Sequence, residues 1–255
     1  MNGFLALAWN GFREARRNRV TTVVAAFAIL LLISSTLVTQ VTVHTYDRVL
    51  TDFGLSTMAI LLVGLAVFLS CGLIPQEIER KTIFLVVSRP MSRSRFLLSR
   101  LTGNLISLYL LQLAMTAVFF FELWLYKAPV TSAIIASLVG LSAELLVVTA
   151  VGFLFSTFSS QLISALITVG IVFAGHLAGD VYRLATKSGS TAIRLVGQGS
   201  YYLVPNLDRM NFRDQAALAA EVAASDVLQS VGLALGYAAL LLVLATVIFE
   251  RRDFR

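Results

Sequence analysis

Three ionisable residues of this sequence interrupt long apolar runs, where a charge is costly unless it is paired or has a function. Glu144 lies near the middle of one run, and His176 and Asp180 stand four residues apart in another, a spacing that places them on one face of a helix. Such groups could handle protons or contact a substrate within the membrane, or could form a buried polar contact that holds helices together. For Glu144 we favour the buried contact, with Asn104 or Gln112 as its partner.

The sequence contains no motif for a familiar catalytic or nucleotide site. It lacks the G-x-x-x-x-G-K-[ST] phosphate loop, so the chain does not bind and hydrolyse ATP by that means. The single cysteine, Cys71, allows neither a disulfide within the chain nor a multi-cysteine metal site. The two histidines, His44 and His176, are expected to be isolated packed or interfacial side chains. We therefore predict that the chain is not an enzyme and holds no cofactor or metal.

A polar segment, 76–100, separates two apolar runs. Basic side chains outnumber acidic ones in it, with Arg80, Lys81, Arg89, Arg93, Arg95 and Arg100 against Glu77 and Glu79. A charged segment between two membrane spans must lie in water, and its positive excess predicts the cytoplasmic side. Glu77–Val87 has the pattern of an amphipathic helix that Pro90 stops, and Ser92 can cap a second helix, Arg93–Arg100, that leads into the next span. The alternative is a solvated basic loop that serves topology alone.

The elements that must position these residues are membrane-spanning helices. The sequence is 58% hydrophobic and 13% charged, and its apolar residues are grouped in runs of about 20, the length that spans a bilayer as a helix. Because hydrocarbon offers no hydrogen-bond partners and the runs do not alternate, we predict helices rather than a barrel. The predicted fold is an all-α membrane protein with a single domain over residues 1–255. Its six spans are expected at about Val20–Gln40, Ser56–Ile74, Leu105–Leu125, Ala133–Phe155, Leu162–Gly179 and Val227–Phe249.

Segments outside the spans complete this fold. The pattern of apolar and basic residues in 1–19 predicts an amphipathic helix on the membrane surface. Pro75 is expected to end or kink the second span. Residues 181–226 form the largest loop, with a short alanine-rich helix in its second half. Glu122, near the end of the third span, is expected to reach the membrane interface. Two G-x-x-x-G pairs, Gly175/Gly179 and Gly232/Gly236, permit close helix contacts within one subunit or at a dimer seam.

The distribution of positive charge predicts the orientation. Most of the 20 basic residues lie in the N-terminal stretch, in 76–100 and in the C-terminal tail. Placing these three segments in the cytoplasm satisfies the positive-inside rule, so both termini are predicted to be cytoplasmic in the inner membrane. Because topology and the surrounding membrane lipid explain the basic residues, no nucleic-acid partner is predicted.

The residues after the second span match a known pattern: an acidic residue, a threonine, a leucine-containing turn, Ser-x-Pro-x-Ser-Arg, and a basic residue entering the third span. The matching residues are Glu77, Glu79, Thr82, Leu85, Ser88-Arg89-Pro90, Ser92-Arg93 and Arg100. In this pattern the chain resembles the permease subunits of type-2 ATP-binding-cassette (ABC) transporters. Lys81 stands where many members have glycine, and Ser99-Arg100 replaces their Gly-Lys but keeps the charge. The runs at 155–160, 204–207 and 251–255 are also similar, so the likeness covers nearly the full chain.

The resemblance implies a division of labour. Two permease subunits, identical or different, would form the translocation path, and two copies of a separate ATPase subunit would bind ATP on the cytoplasmic side. The helix after the second span would be the coupling helix that docks in a groove of the ATPase, and 1–19 would be the interfacial elbow helix. The docking residues would be Glu77, Glu79, Arg80, Lys81, Thr82, Phe84 and Leu85. The expected function is a permease subunit of an exporter.

Two other functions stay open at this point. One is a proton-coupled secondary carrier that uses Glu144 and Asp180 and needs no ATPase. The other is a membrane protein that transmits ATPase motion to an extracytoplasmic partner through residues 181–226 without moving a substrate.

Overall fold

The fold is helical throughout the part of the chain that the structure describes. The structure is a computed structural model, and it describes residues 20–41, 46–79, 93–188, 194–195, 197, 199 and 204–250. Its helices are α1 (Val20–Val41), α2 (Tyr46–Glu79), α3 (Arg93–Leu125), α4 (Ser132–Ser156), α5 (Gln161–Lys187), a 3₁₀ helix (Leu207–Met210), α6 (Arg213–Ala217) and α7 (Ala224–Glu250).

Five of these helices are long and apolar enough to cross a membrane. Their apolar parts are Tyr46–Pro75, Leu97–Leu125, Ser132–Ser156, Gln161–Lys187 and Ala224–Phe249. This confirms an all-α, multi-pass membrane protein. In α1 the described apolar stretch is shorter, Thr22–Ser34, so the sixth span stays a prediction. The expected interfacial helix at 1–19 lies outside the described residues.

Helix α4 is the centre of the bundle. It is apolar on all sides, which is typical of a helix surrounded by others, and it packs most extensively against α2 and α7. Of its apolar part, 72% is buried inside the bundle, compared with 22% for α5 and 17% for α7. Helix α4 therefore contacts neighbours all round, whereas α5 and α7 have large faces turned away from the bundle.

Helices α2 and α3 are longer than a bilayer requires. They contain 34 and 33 residues, about 50 Å each, against about 30 Å of hydrocarbon. Pro75 was expected to end or kink the second span. The apolar part of α2 does end at Pro75, but the helix itself continues through this residue to Glu79. A proline removes one helical hydrogen bond, and the buried neighbours Cys71 and Ile74 pack this turn against the bundle. The third span and the predicted Arg93–Arg100 helix are one continuous helix.

The end of the bundle where α2 ends and α3 begins is called the connection end. A compact apolar cluster lies there and joins four helices, namely Ile74 of α2, Leu97 and Leu101 of α3, Phe153 of α4, and Ala245 and Phe249 of α7. All of these side chains are buried. The cluster packs the ends of α2 and α3 against the central helix.

The opposite end of the bundle is covered by residues 204–217, called the cap segment. Its apolar side chains point into the bundle, since Leu207 and Met210 are almost fully buried, and it packs against α2, α4, α5 and α7. The predicted alanine-rich helix is split: α6 ends at Ala217, and Ala219 adopts a left-handed backbone with φ 51°. The amide of Ala220 donates to the carbonyl of Gln215 at 2.9 Å, a C-terminal turn that stops the helix.

Candidate functional site

Glu144 and His176 form a polar pair between α4 and α5. The Oε1 atom of Glu144 lies 2.9 Å from the Nε2 atom of His176. The Glu144 side chain is 3% exposed and that of His176 is 28% exposed. The pair therefore places a carboxyl group in the interior of the bundle, with the imidazole between it and the surroundings.

The α4–α5 hairpin is what brings the two residues together. Only residues 157–160 separate the helices, and the turn is held by the amide of Ser159, which donates to the carbonyl of Phe155 at 3.0 Å. After such a short connection the helices run antiparallel. Residues at similar distances from the turn then face each other, and Glu144 and His176 are at comparable distances on its two sides.

The contact between Oε1 and Nε2 is a hydrogen bond that can run in either direction. Either the imidazole donates from Nε2–H to the carboxylate, or a protonated carboxyl donates to Nε2. A buried carboxyl group without such a partner would be costly. The same arrangement can serve as a structural contact or as a step in proton transfer. Among the described residues there is no group of three or more His, Cys, Asp or Glu side chains that could hold a metal ion.

The expected partners of Glu144 on α3 are occupied elsewhere or unpaired. Gln112 donates from Nε2 to the carbonyl of Leu138 at 2.8 Å and accepts from the Ser142 hydroxyl at 3.0 Å. The Nδ2 atom of Asn104 is buried without a hydrogen-bond partner among the described residues. The prediction of a buried polar contact for Glu144 is confirmed, but the choice of α3 as its source was wrong. His176, expected to be isolated, is the partner.

The remaining ionisable residues of the apolar runs are not part of the pair. Asp180 lies one helical turn beyond His176 and is exposed. Glu122 is 4% exposed, so the expectation that its side chain reaches the membrane interface was wrong; it packs inside the bundle, at the end where the cap segment lies. His44 lies outside the described residues.

The cap segment packs directly beside His176. A Cβ atom added to Gly175 would lie 2.6 Å from the carbonyl oxygen of Pro205 and 2.9 Å from Cγ of Leu207. A Cβ atom on Gly179 would lie 2.8 Å from a carboxylate oxygen of Asp208. The first G-x-x-x-G pair thus serves packing within one chain, which sequence spacing left undecided. The Glu144–His176 pair and the cap are neighbours through one turn of α5.

A second polar cluster joins α2, α4 and α5 nearer the connection end. The Sγ atom of Cys71 lies 3.5 Å from Oγ1 of Thr168, which also donates to the carbonyl of Ser164 at 2.7 Å. Gly152 of α4 packs against this group, since a Cβ atom there would lie 3.1 Å from the Cys71 sulfur. The sequence indicated only that Cys71 is a single cysteine. It gave no sign of this cluster, because the residues that form it come from three separate helices.

The structure describes two of the predicted docking residues, and only by their backbone. Glu77 and Glu79 belong to the last turn of α2 by their backbone. Arg80, Lys81, Thr82, Phe84 and Leu85 lie in residues 80–92, outside the described residues, as do Pro90 and Ser92. The structure describes the two helices that this connection joins, and the apolar cluster beneath them.

Comparison with known families places the chain in a group without an assigned function. The family described as "Protein of unknown function (DUF2705)" matches residues 45–255. The chain belongs to this family. A search of curated proteins finds no match. In this DUF2705 chain the matched range includes α2 to α7, and therefore the Glu144–His176 pair, the cap segment and the 80–92 connection.

Proposed function

We propose that this chain is the transmembrane permease subunit of an ABC exporter. It would couple ATP hydrolysis by two copies of a separate ATPase subunit to movement of a substrate through a dimer of permease subunits. In this proposal the chain lies in the inner membrane with both termini in the cytoplasm, and the connection end faces the ATPase.

The observation that carries the proposal is the packing beneath the 80–92 connection. Helices α2 and α3 extend past their apolar parts, which end at Pro75 and begin at Leu97, so in this proposal their facing ends lie in water. Just inside, Ile74 and Leu97 pack with Phe153 of the central helix in one buried cluster. A displacement of the connection would therefore be transmitted to α4 through these contacts.

The composition of the connection fits a docking surface. Arg80 and Lys81, together with Glu79 at the end of α2, give mixed charges that can set the register against a partner. Phe84 can provide the apolar anchor that typically contributes most to affinity. Thr82 and Leu85 complete the pattern shared with the permease family. A loop needed only for topology requires the positive charges but not the apolar positions.

Co-purification tests the proposal. The full-length tagged chain is purified from its own membranes with a mild detergent, and ATPase subunits are identified by mass spectrometry. In the double variant Phe84→Asp/Lys81→Glu, the amount of co-purifying ATPase is expected to fall at least about tenfold. The first change replaces the apolar anchor of the interface by a charged side chain, and the second reverses the sign of a charge. The matched control Phe84→Leu/Lys81→Arg is expected to retain it. If the unmodified chain brings down no ATPase, the proposal is wrong.

A second candidate function is a proton-coupled carrier, and the Glu144–His176 pair favours it. A carboxyl group hydrogen-bonded to an imidazole inside a helix bundle is a common element of proton pathways. Such a carrier needs no ATPase, so it predicts no co-purifying subunit and a transport rate that collapses with a protonophore. Transport that is unchanged in Glu144→Gln at every pH would exclude it.

A further inference from the structure

The turn between α3 and α4 borders a groove. It has a volume of about 470 Å³ and is lined by Phe120, Trp124, Leu125, Lys127, Ala128 and Val130. Its volume is in the range of sites that bind small molecules, about 300–1,000 Å³. All of the lining side chains are apolar except that of Lys127, so the groove offers an apolar wall with one cation.

Lys127 occupies a backbone position that normally favours glycine. Its φ is 55°, and its amide donates to the carbonyl of Trp124 at 3.2 Å while the amide of Ala128 donates to that of Leu123 at 2.9 Å. These two bonds form the Schellman turn that ends many helices, in which glycine is the usual residue at the left-handed position. A lysine costs free energy there. Backbone strain of this kind is concentrated at functional positions.

The charge of Lys127 is not balanced within the described part of the chain. Its side chain is exposed and forms no ion pair with any described residue. The nearest acid along α3, Glu122, is directed into the bundle and is 4% exposed. Topology does not account for Lys127 either, because in the proposed orientation this turn lies on the outer side, where basic residues are not favoured.

The groove lies at the predicted membrane boundary. The apolar part of α3 ends at Leu125, and the side chains around it are open to the surroundings, with Trp124 73% exposed and Val130 55% exposed. Tryptophan at such a depth is typical of the interface between headgroups and acyl chains. The occupant that fits has an apolar chain and an anionic group at its end.

We propose that this groove binds an anionic phospholipid of the leaflet that contains the α3–α4 turn. One acyl chain lies along Phe120 and Trp124, and the headgroup phosphate contacts the Lys127 ammonium. The site is separate from the Glu144–His176 pair and from the connection end, and it does not depend on the chain having an ATPase partner. It provides a fixed lipid contact at the end of the bundle that the cap covers.

Tryptophan fluorescence can test the site, because the chain has only two tryptophans. The variant Trp9→Phe leaves Trp124 as the sole emitter. The full chain is reconstituted in phosphatidylcholine vesicles that contain brominated phosphatidylglycerol or brominated phosphatidylcholine at the same mole fraction. Bromine quenches only a nearby indole, so the ratio of quenching reports which lipid occupies the groove. We expect phosphatidylglycerol to be enriched about fivefold, as one basic side chain near the surface allows.

Two further variants in the same background decide the role of the cation. Lys127→Gly removes the charge and suits the left-handed backbone, so it is expected to fold at least as well as the parent and to lose the preference for phosphatidylglycerol. Lys187→Gln removes a basic residue from the last turn of α5, at the same end of the bundle, and is expected to keep it. Equal quenching by both lipids in the parent would overturn the proposal. A preference that survives in Lys127→Gly would do so as well.

Discussion

The Nε2 atom of His176 lies 2.9 Å from the Oε1 atom of Glu144 and joins α5 to the central helix α4. The Glu144 side chain is 3% exposed, so its carboxyl group depends on this partner for hydrogen bonding. His176 follows Gly175, the residue on which the cap segment packs. One turn of α5 therefore contacts both the buried carboxyl group and the cap.

Removing the histidine is expected to destabilise the protein more than altering the carboxyl group. His176→Phe leaves a buried carboxyl group without its partner and should cost about 1–3 kcal/mol of unfolding free energy. Glu144→Gln should cost less, because the amide oxygen can still accept a hydrogen bond from Nε2. The measurement is thermal unfolding of the purified full chain in detergent.

The coupling between the two residues can be measured in a double-mutant cycle. Glu144→Leu combined with His176→Phe removes both polar partners. The double variant is expected to lose less unfolding free energy than the two single variants lose in sum. Strictly additive losses would show that the 2.9 Å contact does not contribute to stability.

The cap should be sensitive to any side chain at Gly175. Gly175→Ala places a Cβ atom 2.6 Å from a backbone oxygen, which cannot move as a side chain can, and overpacking of this kind typically costs about 1–3 kcal/mol. Gly170→Ala on the same helix is the control. No atom lies within 4 Å of an added Cβ there, so this variant should be neutral or stabilising by up to about 1 kcal/mol.

Thermal unfolding and limited proteolysis of the cap segment measure the effect of Gly175→Ala. The expected result is a lower unfolding temperature and faster cleavage within 204–217 than in Gly170→Ala. Equal behaviour of the two variants would mean that the cap does not pack on α5 as described.

The apolar cluster at the connection end should be essential for stability. Phe153 is 0% exposed, whereas Phe173 on α5 is 68% exposed. Phe153→Ala is expected to lower the unfolding free energy by about 3 kcal/mol or more, and Phe173→Ala should change it little. Under the proposed function, Phe153→Ala should also keep the ATPase bound while reducing substrate movement, because the 80–92 surface is unchanged. Loss of ATPase binding in this variant would contradict this expectation, because it would show that the cluster is also needed for docking.

The single cysteine reports on the contact between α2, α4 and α5. Cys71 is 0% exposed and lies 3.5 Å from Thr168, so a membrane-permeant thiol reagent should label it much more slowly in native membranes than after denaturation in SDS. Cys71→Ala/Ser225→Cys, with an exposed position at the start of α7, is the control and should label readily in both states. Rapid labelling of native Cys71 would show that these helices separate.

Much of the architecture could be predicted because it depends on local composition. The apolar runs predicted both ends of α4 and α7 to within a few residues, since the length of an apolar run is matched to the bilayer. Helices α2 and α3 begin well before the predicted Ser56 and Leu105, and α5 ends well after the predicted Gly179. Two other exceptions arose where packing outweighed a local preference. Pro75 did not end α2, and a left-handed turn at Ala219 divided an alanine-rich run that propensity alone favours as helix.

The sequence by itself favoured a buried polar contact for Glu144, because a lone carboxyl group in an apolar helix is costly. It did not determine the partner. That choice required the antiparallel register of α4 and α5, which brings His176 to Glu144 and leaves Gln112 bonded to Leu138 and Ser142. Likewise, spacing showed that Gly175 could permit a close approach, but only the tertiary structure showed that the approaching backbone is Pro205 of the same chain. Burial cost is a property of one residue and its segment, whereas the identity of a contact depends on how separate segments pack.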